Sequence, residues 1–242
     1  MKNKTLSIRI RSTLLWTIMS VATILAFIMT TVLMFNSLKT RHRVAYYWTR
    51  LFNLCANKLC GLSFEVIGRE NIPKDTIIIA SNHQSIWETL CFSSIFPVHV
   101  WVLKSSLLNI PVFGWALRSC GPIPFNRSYK STAMKSILRL GKLRLENGFS
   151  ILTFPEGTRL NPKERKRYKF GTVQLAYLLQ KSILPVAHNA GVFFPKNTLC
   201  LFPGKITVKI LPVILVNENS DVNDIKAQLE YTINHELDKL NV

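Results

Sequence analysis

The first pattern along the chain is a long apolar stretch near its N-terminus. No residue between Arg11 and Lys39 carries a charge, and residues 13–35 consist mainly of Leu, Ile, Val, Met and Phe. About 20 apolar residues in a helix are enough to span a bilayer. A cleaved signal peptide has a shorter apolar core, of roughly 7 to 15 residues, that ends in small residues at a cleavage site. The stretch therefore predicts a retained membrane-anchoring helix over residues 13–35.

A second helical pattern follows the apolar stretch. Residues 44–62 place Tyr, Trp, Phe and Leu at helical spacing beside Arg50 and Lys58, as an interfacial amphipathic helix does. The alternative is an ordinary helix packed on the globular part of the chain. Both flanks of the apolar stretch are basic, so charge does not indicate its orientation. We predict an anchor over residues 1–62 and a globular domain over residues 63–242.

The remainder of the chain alternates apolar runs, rich in β-branched residues, with helical patterns. Five runs predict strands, at residues 76–80, 98–103, 150–154, 183–187 and 205–211. Helices are predicted over residues 86–96, 128–146 and 172–180, the second ending at Asn147-Gly148, and a last helix begins at the cap residue Asp221. Continuous apolar strands separated by helices are typical of a mostly parallel central sheet flanked by helices, so the predicted fold class is α/β.

Composition restricts the partners of the chain. Lys and Arg number 31 against 13 Asp and Glu, a formal charge of +18, so the partners are expected to be anionic: lipid headgroups, phosphorylated substrates, acidic proteins or nucleic acid. The chain has no recognised nucleic-acid motif, and a membrane helix also argues against nucleic acid. The five cysteines are odd in number and scattered, which disfavours a disulfide framework or a zinc site.

The first candidate for chemistry is a strand-to-helix turn. The sequence Ser-Asn-His-Gln-Ser-Ile-Trp-Glu directly follows the run at 76–80 and contains His83 and Glu88. Ligands and catalytic groups gather at the carboxyl ends of such strands. A carboxylate in the first turn of the next helix can reach back to the imidazole and fix its tautomer, which makes His83 a general base. The alternative is a histidine that only caps the turn. His188 ranks below His83 as a base because no carboxylate stands near it in the sequence.

Two further segments carry residues suited to phosphate. Phe-Pro-Glu-Gly-Thr-Arg contains Glu156, Gly157 and Arg159: the glycine permits close approach of the backbone to a ligand, and the arginine offers a planar fork. Arg127 follows a rigid Gly-Pro-Ile-Pro segment, and two arginines from separate strand ends suit a phosphomonoester. The alternative is an ordinary turn with solvated surface arginines.

These segments, in this order and spacing, resemble the glycerolipid acyltransferase family, specifically its 1-acylglycerol-3-phosphate acyltransferases. The likeness covers roughly residues 64–215: Asn-His followed by an acid, Gly-x-x-Phe-x-x-Arg, Phe-Pro-Glu-Gly-Thr-Arg, and an apolar strand with a proline. The third block is intact. Glu88 stands where the family usually has Asp, and Asn126 stands where an acid often precedes the arginine.

The resemblance implies a role for each matching residue. His83 is the general base and Glu88 its acidic partner. Substrate-binding roles fall to Lys104, Arg127, Glu156, Gly157, Thr158 and Arg159. No metal, resident cofactor or covalent acyl-enzyme is expected, because the family transfers acyl groups directly from acyl-CoA or acyl carrier protein.

The resemblance also implies a reaction and a place. The expected reaction is transfer of a fatty acyl group to the sn-2 hydroxyl of 1-acyl-glycerol-3-phosphate (lysophosphatidate), giving phosphatidate for phospholipid biosynthesis. The expected location is a membrane, such as the inner membrane of a bacterium, with the catalytic domain on its cytoplasmic face.

Two alternatives remain. One is acylation of another lyso-lipid by the same His83 and Glu88. The other is a non-catalytic scaffold that binds acidic lipid through its basic residues, notably Lys163, Arg165, Lys166, Arg167 and Lys169.

Overall fold

All five strands that the sequence predicts form the middle of a seven-stranded sheet in the computed structural model, which describes residues 2–126 and 130–240. The strands are β1 (Leu62–Ile67), β2 (Ile78–Ser81), β3 (His99–Lys104), β4 (Ile123–Phe125), β5 (Ser150–Thr153), β6 (Ile183–His188) and β7 (Gly204–Ile210). Their order is β1-β7-β6-β2-β5-β3-β4. Neighbouring strands are parallel except β6 and β7, which are antiparallel. The predicted α/β class with a mostly parallel sheet is confirmed.

Helices cover both faces of the sheet. They are α1 (Lys2–Val32), α2 (Leu38–Cys60), α3 (Trp87–Cys91), α4 (Phe113–Ser119), α5 (Lys130–Glu146), α6 (Gly171–Leu178), α7 (Ala190–Phe193) and α8 (Val222–Leu240). The predicted helix ends are confirmed at two places. Asp221 Oδ1 accepts hydrogen bonds from the backbone N–H groups of Asn223 and Asp224 at 2.6 and 3.1 Å. Gly148 adopts φ +79°, the left-handed conformation that closes α5.

Alternate residues of the central strands face opposite sides. In β2, Ile79 packs on the side of α1, α2 and α3, while Ile78 packs on the side of α5, α6 and α8. In β6, Leu184 packs on the same side as Ile79, and Ala187 packs on the same side as Ile78. Because both faces are buried, these strands contain continuous apolar runs, and this is why the sequence revealed them.

The first two helices form a hairpin that packs on the domain. Leu15 and Met19 of α1 are 0% and 1% exposed, and they lie in one core cluster with Phe52 and Ala56 of α2. Leu6–Phe35 is nevertheless long and apolar enough to cross a membrane, and only a small part of it is buried against the rest of the protein. The helix bounds differ from the predicted ranges 13–35 and 44–62, since α1 starts at Lys2 and α2 at Leu38, and both helices contribute side chains to the core. The membrane anchor itself stays a prediction.

Candidate active site

The predicted pairing of His83 with Glu88 is present. Glu88 lies in the first turn of α3, and its Oε1 is 2.8 Å from His83 Nδ1. The same oxygen accepts hydrogen bonds from the backbone N–H groups of Gln84 and Ser85 at 2.9 and 2.8 Å. Three donors converge on one carboxylate oxygen because the turn between β2 and α3 wraps around it.

These contacts keep Glu88 ionised although its side chain is 0% exposed. Burial raises the pKa of a carboxyl, but the imidazoles of His188 and His83 and the amide of Ser85 outweigh it, so the pKa of Glu88 lies below its usual value. An ionised carboxylate only accepts hydrogen bonds, so His83 Nδ1 carries the proton of that bond. Nε2 is then the nitrogen available to accept a proton.

The His83 ring is held on a second side by Phe154. The two ring centroids are 4.1 Å apart and the ring planes 16° apart, which is a stacked arrangement. The side chain of His83 remains 19% exposed. The imidazole is therefore fixed in orientation by Glu88 and Phe154 while part of it stays accessible from outside.

Glu156 supports the backbone of the same turn. Its side chain is 3% exposed, and Oε2 accepts a hydrogen bond from the backbone N–H of His83 at 3.1 Å. Burial raises the pKa of Glu156 from 4.5 to about 8; the negative charge of Glu88 adds to the rise, and the His83 amide and Arg165 oppose it. This contact ties the Phe-Pro-Glu-Gly-Thr-Arg segment to the His83 turn.

The rest of that segment forms an open loop beside the histidine. Gly157 has φ +71°, and a Cβ there would lie 2.9 Å from Lys169 Nζ, so the lysine side chain lies over the glycine. Thr158 is exposed and Arg159 is half-buried. Among the described residues, the Nη1 atom of Arg159 is buried and has no hydrogen-bond partner.

Two predicted residues remain, Lys104 and Arg127. Lys104 is exposed at the carboxyl end of β3, the edge of the sheet that also carries the His83 turn, and no described contact joins it to His83 or Glu88. Arg127 lies outside the described residues; the chain is described up to Asn126, directly after β4.

Two buried residues near the site, Asn82 and His188, are not among the predicted site residues, although the sequence offered His188 as a base ranked below His83. Asn82 joins the His83 turn to β6: its Nδ2 donates to His188 O, and its Oδ1 accepts from His188 N, both at 2.9 Å. His188 itself is 0% exposed, and its Nε2 lies 4.0 Å from Glu88 Oε2. The sequence contained Asn82 in the Asn-His motif, but the contact to a strand so far along the chain has no local signal.

Two other predictions concern metals and basic residues. In the described ranges, no group of three or more His, Cys, Asp or Glu side chains is arranged to hold a metal ion, and all five cysteines are free thiols. Within the basic segment, Arg165 pairs with Asp238 of α8 at 2.6 Å, so part of its charge is neutralised within the protein.

Sequence comparisons show which known proteins this chain resembles. Residues 63–189 match the model of the Acyltransferase family. The chain is 38% identical over 177 residues to a 1-acyl-sn-glycerol-3-phosphate acyltransferase of Pseudomonas aeruginosa, covering 73% of this chain and 69% of the relative. A protein of the same description from Borreliella burgdorferi is 35% identical over 167 residues, which cover 67% of this chain and 66% of the relative.

The fold also matches a solved structure. The crystal structure of the 1-acyl-sn-glycerophosphate (LPA) acyltransferase of Thermotoga maritima superposes with a TM-score of 0.79, over 96% of this chain and 95% of that one. Sequence identity to it is 21%. The likeness extends over the N-terminal hairpin as well as the sheet.

Proposed function

This chain belongs to the acyltransferase family, and we propose that it transfers a fatty acyl group from an acyl thioester to the sn-2 hydroxyl of lysophosphatidate, giving phosphatidate. The observation that carries the proposal is the His83 and Glu88 pair at 2.8 Å, beside an arginine whose Nη1 has no partner among the described residues. The names of the relatives from Pseudomonas aeruginosa and Borreliella burgdorferi support the choice of acceptor.

His83 acts as the general base in this proposal. Its Nε2 takes the proton from the acceptor hydroxyl as the hydroxyl oxygen attacks the thioester carbonyl carbon. Glu88 stabilises the imidazolium that forms, as the acid of a catalytic triad does. The carbon–sulfur bond then breaks, and the leaving thiolate takes the proton back from the imidazolium. Acyl-CoA or acyl carrier protein enters as the donor substrate, and the transfer needs no resident cofactor.

Arg159 binds the phosphate of the acceptor in this proposal. A guanidinium group offers several N–H donors in a plane, which suits a phosphomonoester, and a buried donor without a partner favours an incoming acceptor. Lys169, whose side chain lies over Gly157, adds positive charge beside the loop. Arg127 and Lys104 are the further phosphate or substrate contacts that the family resemblance implies.

The acceptor and the product are membrane lipids, so the hairpin of α1 and α2 is part of the proposed function. The exposed side of α1 is apolar, with Leu25 61% and Met29 57% exposed, and we place it in the bilayer. The basic residues on both flanks attract anionic headgroups. We further propose an inner membrane of the bacterial type, with the catalytic domain on the cytoplasmic face, where acyl thioesters are available.

The experiment is phosphatidate formation by the purified full-length protein. Wild type should acylate lysophosphatidate, His83→Ala should lose at least about a hundredfold in rate, and Glu88→Asp should retain transfer because the carboxylate chemistry survives. His235→Ala, at an exposed histidine of α8, is the matched control and should behave like wild type.

The acceptor panel separates the alternatives. Lysophosphatidylcholine and lysophosphatidylethanolamine are assayed beside lysophosphatidate. Transfer to one of these in place of lysophosphatidate would reject the acceptor but keep the enzyme class, whereas equal rates for wild type and His83→Ala would reject His83 as the base.

A further inference from the structure

The carboxylate of Glu88 is bonded unevenly. Its Oε1 accepts from His83, Gln84 and Ser85, while its Oε2 is buried and has no hydrogen-bond partner among the described residues. Leaving one oxygen of a buried, ionised carboxylate without a donor is costly. The group that faces Oε2 therefore affects both the charge and the position of Glu88.

His188 is that group. Its Nε2 lies 4.0 Å from Glu88 Oε2, and both side chains are 0% exposed. The backbone N–H of Ala190 donates to His188 Nδ1 at 3.2 Å, so Nδ1 is an acceptor and the ring proton is on Nε2. This Nε2–H donates to Asn82 O at 3.0 Å. The N–H that donates to Asn82 O therefore belongs to a nitrogen 4.0 Å from the free oxygen of Glu88, too far for a hydrogen bond to that oxygen but close enough for electrostatic attraction.

The surroundings of His188 strengthen a dipole of this kind. The rings of Trp87 and Phe92 lie 6.5 and 5.8 Å from the imidazole, centroid to centroid, and electrostatic attraction is stronger in such a buried, largely apolar environment. Burial lowers the pKa of His188, while the charge of Glu88 and the bond to Asn82 oppose this effect. The bond from the Ala190 N–H to Nδ1 requires a neutral ring, which offers Glu88 a dipole instead of a second charge.

We propose that His188 is a positioning residue for the transfer reaction: its Nε2, 4.0 Å from the free oxygen of Glu88, attracts that oxygen and so helps to keep the other oxygen of the carboxylate on His83. This inference rests on the proposed function, since it concerns how that reaction is supported. The side chain of Glu88 has several torsions to fix, so contacts from two sides restrict it more than one does. His188 fixes it from the side opposite His83.

Two substitutions test the contributions of the two ring nitrogens of His188 one at a time. His188→Asn retains an acceptor near Nδ1 for Ala190 and removes the Nε2–H group that lies near Glu88 Oε2. His188→Gln retains an N–H near Nε2 and removes the acceptor. We expect His188→Asn to lower kcat about tenfold, the effect of one lost polar contact, and to leave the KM for lysophosphatidate unchanged. The kcat of His188→Gln should stay within about threefold of that of wild type. A raised KM with an unchanged kcat would overturn the proposal.

A double-mutant cycle tests whether His188 acts through Glu88. In Glu88→Asp the shorter carboxylate follows His83 and withdraws from His188, so adding His188→Asn should cost at most about twofold. An equal loss in both backgrounds would overturn the proposal. His99→Asn is the control for loss of a buried imidazole, since His99 is 1% exposed and bonded to Pro97 O; it should lower stability without lowering kcat of the folded protein.

A readout that does not require turnover separates this inference from the proposed function. In ¹⁵N NMR spectra, the His188 Nε2 resonance should move when Glu88 is replaced by Gln. A resonance that stays in place would overturn the inference whatever the acceptor of the enzyme is. If wild type acylates a different lyso-lipid, the cycle is run with that acceptor, and only the proposed acceptor is rejected.

Discussion

Burial changes the charge state of Glu156, the residue that ties its loop to His83. A carboxyl whose pKa is raised to about 8 is neutral in the folded protein at neutral pH, whereas in the unfolded chain it ionises near 4.5. The stability that Glu156 contributes is therefore fully present below about pH 4.5 and is lost as pH rises through about 8.

We expect Glu156→Gln to remove this dependence. The amide is neutral at every pH, and its oxygen can still accept from the His83 N–H. Relative to wild type, the variant should gain stability as pH rises from 5 to 8, at a rate of up to about 1.4 kcal/mol per pH unit. Urea unfolding of both proteins at pH 5, 6.5 and 8 measures this, and parallel curves for the two proteins would contradict it.

At the scale of elements, α2 is fastened to the sheet by a buried histidine. His42 Nε2 bonds to Cys120 O at 2.8 Å, and the His42 ring stacks on Trp101 of β3 with the planes 9° apart. Burial lowers the pKa of His42 from 6.5 to about 4, the bond to Cys120 opposes this, and the charges of Arg144 and Arg41 lower it further. The docked helix therefore requires a neutral imidazole.

Acid should weaken this docking. The unfolded chain protonates His42 below about pH 6.5 and the folded chain only near 4, so stability falls as pH drops through this interval. We expect His42→Gln, which retains an N–H for Cys120, to be less sensitive to pH between 6.5 and 4. Part of the pH dependence of stability should remain in this variant, because the pKa of His99 is also lowered to about 4, mainly by burial. An unfolding midpoint that falls as steeply in the variant as in wild type would reject His42 as a cause.

The elements that the sequence did not reveal are those without a local signal. β1 and β4 are the two edges of the sheet. β4 has only three residues, one of them a proline, and it is extended because it pairs with β3. β1 directly follows α2, where the helical pattern continued to residue 62 and obscured the strand. Edge strands are short and half-covered, so their composition differs little from that of loops.

At the scale of the whole molecule, α1 faces two environments. One side packs on the domain: Trp16 Nε1 donates to Leu199 O at 2.7 Å, and Ser12 Oγ accepts from the Leu201 N–H at 3.0 Å. The other side is exposed and apolar, with Leu25 61% and Ile28 52% exposed. Deleting residues 1–62 would remove core side chains together with the lipid-facing surface, so it cannot separate the two roles.

Point substitutions can separate the packing of α1 on the domain from its contact with lipid. Leu25→Asn should weaken binding to anionic vesicles about tenfold or more, since burying a leucine contributes about 1.5–3 kcal/mol, with little change in unfolding in detergent. Leu15→Ala, at a 0% exposed position, should cost about 2–5 kcal/mol of stability and leave vesicle binding of the folded protein unchanged. Vesicle flotation and urea unfolding measure the two effects. Destabilisation by Leu25→Asn without weaker flotation would place that face inside the fold.

The sequence alone determined the features whose cause is local. The central strands follow from continuous apolar runs, the start of α8 from Asp221, and the proximity of His83 to Glu88 from their spacing across one turn. Each depends on the geometry of a short segment, which its own residues dictate.

Tertiary structure decided the contacts between distant segments. The stacking of Phe154 on His83, the bond from the His83 N–H to Glu156 and the position of His188 behind Glu88 all depend on which strands are neighbours and in what register. Packing also determined that α1 has a side facing the domain. Hydropathy along the chain records how apolar a segment is, but burial against protein and burial in lipid favour the same residues, and only the packed fold distinguishes them.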